Sequence, residues 1–235
     1  MGPAFSPRYD RQTMLPEIGE EGQARLYTAT VMIVGLGGLG SPVALYLAAA
    51  GVGELMLVDD DLVSETNLQR QVLYTTAELG QPKATCAARR LEALNPGLRT
   101  FTLRRRFEAD MADAVKDCNI VVDCTDNHRA RFAIDDACRL VERPWVHAAI
   151  EGFEGRVSLF NGRARTSYSD LFGADRDALC SAPARPAGVI GPTPGVLGSM
   201  QAAEAIKWLV GIPSPLDGAI FHINLLNYQT NLIQI

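Results

Sequence analysis

Residues 31–61, VMIVGLGGLGSPVALYLAAAGVGELMLVDDD, decide how the rest of the chain is read. The run VMIVG at 31–35 is short, apolar and branched, the pattern of a strand buried on both faces. It stops at a glycine cluster. Ser41 and Pro42 then open a helix over 43–50. Proline is tolerated at a first helical position because its missing N–H would have no partner there. ELMLVD at 54–59 reads as a second strand. Between strand and helix, Gly35, Gly37, Gly38 and Gly40 fit G-x-G-x-x-G, a string that is weak alone and specific in this context. Such a turn brings a phosphate to backbone N–H groups at a helix N-terminus, where the dipole favours anions. Asp59 ends the next strand, where an acidic side chain takes ribose hydroxyls. Asp60 and Asp61 follow it, and three adjacent carboxylates call for a cation or basic side chains nearby.

Outward from this unit the alternation continues. A helix is expected from Lys83 to about Leu94, closed by Asn95, Pro96 and Gly97. Strands follow at 99–105, 119–124 and 145–150, with helices at 111–116 and 129–141 between them. Strands separated by such helices imply right-handed crossovers and a parallel sheet. After Ile150 the pattern changes. GRVSLF at 155–160 alternates and can form a hairpin with its neighbour. Residues 161–192 are rich in Gly, Ala, Pro, Arg and Asp without a period, which predicts a long functional or mobile loop. A helix over 196–210 and two alternating runs, AIFHINLL and QTNLIQI, end the chain. The expected fold class is α/β, a Rossmann-like mostly parallel sheet with helices on both faces, continued by an antiparallel C-terminal extension. One domain over 1–235 is expected: an N-terminal helical arm (1–30), a nucleotide-binding half (31–150) and an antiparallel half (151–235) with the crossover loop at 161–192.

Composition excludes several classes. The chain has 235 residues, 47% hydrophobic and 21% charged, which is ordinary globular composition. A net charge of -5 argues against a general nucleic-acid or anionic-membrane binder. The longest apolar stretch, 43–52, is too short to span a bilayer, and MGPAFSPRYDRQ lacks the apolar core of a signal peptide. Cys86, Cys118, Cys124, Cys138 and Cys180 are odd in number and form no CxxC pair, so a reducing cytoplasm is expected.

The cations around the glycine turn ask for more than a dinucleotide. Asn67, Gln69, Arg70 and Gln71 follow the acidic run, and Lys83 falls in the first turn of a helix opened by Pro82. A lysine there opposes the helix dipole, which makes sense if an anion lies between them. Arg70 and Lys83, both expected to be exposed without ligand, would then hold the outer phosphates of a triphosphate. The bland reading of Lys83 is a surface lysine. Asp126 follows the strand 119–124, at the end where open parallel sheets bind ligands. It either caps the next helix or holds Mg²⁺ beside the phosphates, and Asn127 or Thr125 can supply the cap instead. An NAD- or FAD-binding oxidoreductase would explain the glycines and Asp59, but not Arg70, Lys83 and Asp126.

Together RYDRQ (8–12), residues 31–61, NLQRQ (67–71), QPKA (81–84), DCTDN (123–127) and AGVIGPTPGVLGSMQAAEAIK (187–207) resemble the ThiF/MoeB/HesA adenylyltransferases, bacterial relatives of the ubiquitin-activating enzymes. LYTTAELGQPK and ALYLAAAGVG look more like ThiF than MoeB. The resemblance runs from Arg8 to about Tyr228. It implies adenylation, with ATP and Mg²⁺, of the C-terminal glycine of a ubiquitin-like sulfur carrier ending in Gly-Gly, as in thiamine or molybdenum-cofactor biosynthesis. A peptide or a tRNA base in place of the carrier is the alternative substrate, and the acidic charge disfavours tRNA. By resemblance Asp59 binds ribose, with Asp61 in the same acidic run. Asn67, Arg70 and Lys83 contact phosphates, with Gln71 and Asn127 beside them. Asp126 holds Mg²⁺, and Arg11 reaches the triphosphate of the other subunit of a homodimer. Two departures stand out. Family members commonly carry two CxxC pairs for a structural zinc, whereas this chain has Ser167, Tyr168, Ser169 and Asp170 at the first and ends at Ile235 before the second, so no zinc site is expected. His128, His147 and His222 lack zinc spacing. Cys180 precedes Ala187, Gly188 and Val189 by a longer gap than the reactive cysteine of ThiF-like proteins. Arg176 and Arg185 flank it as groups able to lower its pKa.

Overall fold

The structure, a computed structural model, describes residues 6–182 and 188–235. Five short strands pair in parallel: β1 (Thr30–Val34), β2 (Glu54–Val58), β3 (Arg99–Leu103), β4 (Ile120–Asp123) and β5 (Trp145–Glu151). Three antiparallel strands extend the sheet: β6 (Glu154–Phe160), β7 (Ala219–Asn224) and β8 (Gln229–Gln234). Their order across the sheet is β3-β2-β1-β4-β5-β6-β7-β8. The chain winds outward from β1 through β2 to β3, then returns to the other side of β1 with β4. The connections part at that switch point and leave a crevice at the strands' C-terminal ends.

The arm comprises α1 (Asp10–Thr13) and α2 (Gly19–Thr28). Around the sheet lie α3 (Gly40–Ala50), α4 (Lys83–Leu94), α5 (Ala112–Lys116), α6 (His128–Leu140), α7 (Tyr168–Phe172), α8 (Arg176–Ser181) and α9 (Pro192–Val210). Successive strand residues point to opposite faces. Val31, Ile33, Leu55, Leu57, Ile120 and Val122 therefore share one core with α3, α4 and α9. Met32, Val34, Val58, Val121 and Trp145 share the other with α5, α6 and α7. Because both faces are covered, the strands read as apolar runs. The helix expected from Val43 begins three residues earlier, at Gly40.

The arm is fastened to the C-terminal ends of α3 and α4. Asn95 Nδ2 donates to the buried Tyr9 hydroxyl at 2.8 Å. Gln12 and Gln23 each donate to the Ala50 carbonyl at 3.1 Å.

Residues 161–192, expected as an irregular loop, are a correction. They contain α7 and α8 with a 3-10 turn at Gly173–Asp175 between them, and α9 starts at Pro192 rather than Val196. Side-chain chemistry creates this order. Ser167 and Asp170 cap α7 reciprocally. Tyr168, 1% exposed, packs among Phe132, Trp145, Phe160 and Phe172. The fully buried Asp135 of α6 accepts from Tyr168 N (3.2 Å), Ser169 N (3.0 Å), Ser169 Oγ (2.6 Å) and Trp145 Nε1 (3.4 Å). Arg176 pairs with Asp136 at 2.5 Å, and its guanidinium lies 4.8 Å from the centre of the Phe132 ring.

Candidate nucleotide site

The four glycines between β1 and α3 divide by physical role. Gly35 has φ of 90°, and a Cβ there would lie 2.7 Å from the Cys124 carbonyl oxygen. A Cβ on Gly40 would lie 2.1 Å from the Gly35 oxygen. Both are required by the close approach of β1, α3 and the end of β4. A Cβ on Gly37 would meet only Gln71 Nε2, at 3.4 Å, so packing does not account for that glycine. The N–H groups of Gly37, Gly38 and Leu39 find no acceptor among the described residues. Beside them the buried Gln71 carboxamide oxygen also lacks a partner. A glycine open to approach, a row of free N–H groups and a helix N-terminus fit an anion, with Gln71 offering a nearby acceptor.

Asp59 straps this turn to the end of β2. Its Oδ2 accepts from Leu36 N at 2.7 Å and its Oδ1 from Asp61 N at 2.8 Å. Burial raises the Asp59 carboxyl above its ordinary value, opposed by those two N–H bonds and by the Lys83 charge. The bases that the acidic run called for are present. Lys83 Nζ bonds Asp61 Oδ2 at 2.8 Å, and Arg106 Nε bonds Asp60 Oδ2 at 3.0 Å. Lys83 is a correction: its side chain is 4% exposed and paired, not free at the surface. Its backbone N–H donates to the Asp61 carbonyl and draws the ammonium inward. Arg70 is half-buried. It donates to Asn67 Oδ1 at 2.9 Å and to the Thr66 carbonyl at 3.2 Å, with its stem against Gly38.

Across the switch point, the loop after β4 carries Asp126. Asn127 caps α6 by accepting from Ala130 N at 2.9 Å, which leaves Asp126 free of that task. Asp126 is exposed, and its hydrogen bond among the described residues is from Asn127 Nδ2 at 3.3 Å. Arg106 meets the acidic run through Asp60, and the neighbouring carboxylate charges raise its pKa further. Sequence reading missed Arg106, because no local motif marks a guanidinium that reaches from beyond β3 to a carboxylate beyond β2.

Two residues stand apart. Arg11 is exposed on α1, in the arm fastened at the far end of α3 from the glycine turn. That helix has 11 residues, about 16 Å at 1.5 Å per residue. Cys180 lies in α8, half-buried against the second core, and Arg176 beside it is committed to Asp136 and Phe132. Arg185 and Ala187 lie outside the described residues.

The profile of the ThiF family matches residues 9–235. The chain belongs to the ThiF family. Over 217 residues this ThiF-family chain is 44% identical to the sulfur carrier protein adenylyltransferase of Thermus thermophilus, spanning 90% of this chain and 80% of that one. It is 42% identical over 214 residues to the sulfur carrier protein ThiS adenylyltransferase of Escherichia coli, spanning 88% and 83%. The mouse adenylyltransferase and sulfurtransferase MOCS3 is 42% identical, with 46% of its length matched. Among solved structures, Escherichia coli MccB with ATP superposes with a TM-score of 0.84 over 100% of this chain and 73% of that one. At 22% identity this speaks for a shared ThiF-type fold.

Proposed function

We propose that this chain is an adenylyltransferase that uses ATP and Mg²⁺ to activate the C-terminal glycine of a ubiquitin-like sulfur carrier, acting in the cytoplasm as a homodimer. Family membership supports the adenylating activity. The observation that carries the site is the row of N–H groups at Gly37–Leu39 that find no acceptor among the described residues, with the Arg70 stem against Gly38. A dinucleotide-dependent oxidoreductase would explain the glycine turn and Asp59, but not Arg70, Lys83 and Asp126.

In this reading the phosphates lie over the glycine turn, where the α3 dipole favours negative charge. Arg70 and Lys83 take the outer phosphates. Lys83 is already held by Asp61, so little freedom remains to be lost on binding. Asp59 accepts from ribose hydroxyls, and further donors would stabilise an ionised carboxylate that burial disfavours. Asp60 and Asp61 are already paired with Arg106 and Lys83, whereas Asp126 has no ion pair among the described residues. An exposed hard oxygen donor beside phosphates suits Mg²⁺, so Asp126 would hold it. Bound there, Mg²⁺ neutralises phosphate charge and favours loss of pyrophosphate.

The attacking group is the carrier's terminal carboxylate, already ionised at neutral pH, so no side-chain base is needed. Its oxygen bonds to the α-phosphorus as the bond to the bridging oxygen breaks, giving an acyl-adenylate and pyrophosphate. The chain's contribution is positioning and charge neutralisation. Arg11 would join from a partner copy. Cys180 takes no part in this step, and any covalent role would follow it.

ATP–pyrophosphate exchange tests the reading. Exchange is expected to require Mg²⁺ and a carrier ending in Gly-Gly, and to vanish when the last glycine is removed. Exchange indifferent to the carrier, or binding of NAD in preference to ATP, would overturn it.

A further inference from the structure

Beneath the crevice lies a buried polar cluster that the adenylation reading does not use. Asp123, fully buried at the end of β4, accepts from Thr125 N at 2.9 Å and Thr125 Oγ1 at 2.6 Å through one oxygen. Its other oxygen meets His147 Nδ1 at 2.8 Å and lies 3.7 Å from Arg131 Nε. Arg131, in the first turn of α6 and 8% exposed, donates from its other end to the Thr125 carbonyl at 3.1 Å. Its Nε has no hydrogen-bond partner among the described residues, an arrangement that costs stability. From the crossover segment, Tyr168 brings its hydroxyl to 2.7 Å from His128 Nδ1, three residues before Arg131 on α6. The loop 124–127 is thus clamped from below by Asp123 and from the side by Arg131. Neither residue is open to a substrate.

We propose that Arg131 is a positioning residue: set between Asp123 and the Thr125 carbonyl, it fixes the loop that carries Asp126, while the bond from His128 at the start of the same helix to the Tyr168 hydroxyl ties that loop to α7 of the crossover segment. The inference rests on the reading of Asp126 as the carboxylate that holds the metal. A planar group that donates to the Thr125 carbonyl from one end while its other side lies 3.7 Å from the Asp123 carboxylate has a guanidinium's span, which an ammonium does not reproduce. Ordering of the crossover segment and of the Asp126 loop are then one event.

Three variants separate this from a merely structural role. Tyr168→Phe keeps the packed ring and removes the hydroxyl. Arg131→Lys keeps the charge and removes the fork. Asp126→Asn reports the metal reading itself. Two measurements apply: hydrogen–deuterium exchange of the segment 124–130, and Mn²⁺ binding in the presence of ATP, followed by the electron-paramagnetic signal of free Mn²⁺. In Tyr168→Phe and Arg131→Lys, exchange over 124–130 is expected to quicken roughly tenfold and half-saturation with Mn²⁺ to rise by a similar factor, while cooperative melting persists. Asp126→Asn is expected to weaken Mn²⁺ at least as much. Unaltered exchange and Mn²⁺ binding in both variants, beside a defective Asp126→Asn, would overturn the proposal. If Asp126→Asn binds Mn²⁺ like the parent, the metal reading fails, and exchange over 124–130 alone decides whether Arg131 fixes the loop. Should Arg131→Lys not fold, Tyr168→Phe decides.

Discussion

Gly37, Arg70 and Lys83 carry the account at the scale of single residues. Among the described residues the Arg70 guanidinium bonds within its own turn, to Thr66 and Asn67, so Arg70→Ala should fold like the parent. Loss of one well-placed cation costs about 3 kcal/mol, and pyrophosphate exchange should fall roughly a hundredfold. Lys83→Ala should lose as much activity and also melt lower, because it removes a buried stem and leaves Asp61 without its partner. Exchange at the parental rate in either variant would contradict the phosphate role. His147 gives a pH signature. Burial pushes its imidazole below the ordinary value, with the Asp123 bond opposing, and His128 shifts the same way by burial. A histidine kept neutral by folding adds stability above its unfolded value of about 6.5. That stability is lost as pH falls from there through the folded value, because the unfolded chain takes the proton first. The melting temperature should therefore drop between about pH 7 and pH 5, and His147→Asn should flatten the drop. An equal slope in the variant would show that His147 does not titrate on unfolding.

At the scale of elements, the crossover segment is the part that depends most on Asp135, a side chain outside it. Asp135 accepts from two backbone N–H groups, a hydroxyl and an indole, and all four lose their acceptor in Asp135→Ala. Destabilisation of about 3 kcal/mol is expected, with rapid proteolysis confined to 167–182 at temperatures where the sheet stays folded. Uniform resistance across the chain would show that the aromatic packing of Tyr168 suffices. The same contrast explains what the sequence made legible. Strands β1, β2 and β4 are apolar runs because both faces are covered, and the glycine turn between the first strand and helix announces itself by spacing alone. Helices α7 and α8 have five and six residues, too short for a period to show. They exist because Asp135 and Phe132, more than thirty positions away, hold them. The burial of Lys83 and the reach of Arg106 were hidden for the same reason: each depends on a carboxylate brought near by the sheet and not by the chain. The place of Asp126 just past β4 was legible because an apolar parallel strand ends there, and so was the cap that Asn127 supplies.

At the scale of the whole molecule, the sheet gathers the glycine turn, the acidic run and the Asp126 loop at one end, while the arm fastens Arg11 toward the other. If Arg11 serves a nucleotide, the site it serves belongs to a second copy. Mixing inactive Arg11→Ala with inactive Lys83→Ala should then restore activity. Random exchange of subunits in a two-fold dimer leaves about a quarter of sites intact. No recovery after demonstrated subunit exchange would place Arg11 outside the site. The central claim, that this ThiF-family chain joins AMP to a carrier's terminal glycine, is tested most directly by intact mass spectrometry of the carrier. The protein is incubated with ATP, Mg²⁺ and a ubiquitin-like carrier ending in Gly-Gly, with pyrophosphatase to pull the reaction forward. The expected result is a carrier heavier by one adenylyl group, placed at the last glycine by fragmentation, formed roughly a hundredfold more slowly with Arg70→Ala and reversed by added pyrophosphate once the pyrophosphatase is removed. A carrier of unchanged mass, under conditions where ATP is bound and competent carriers are present, would contradict the account.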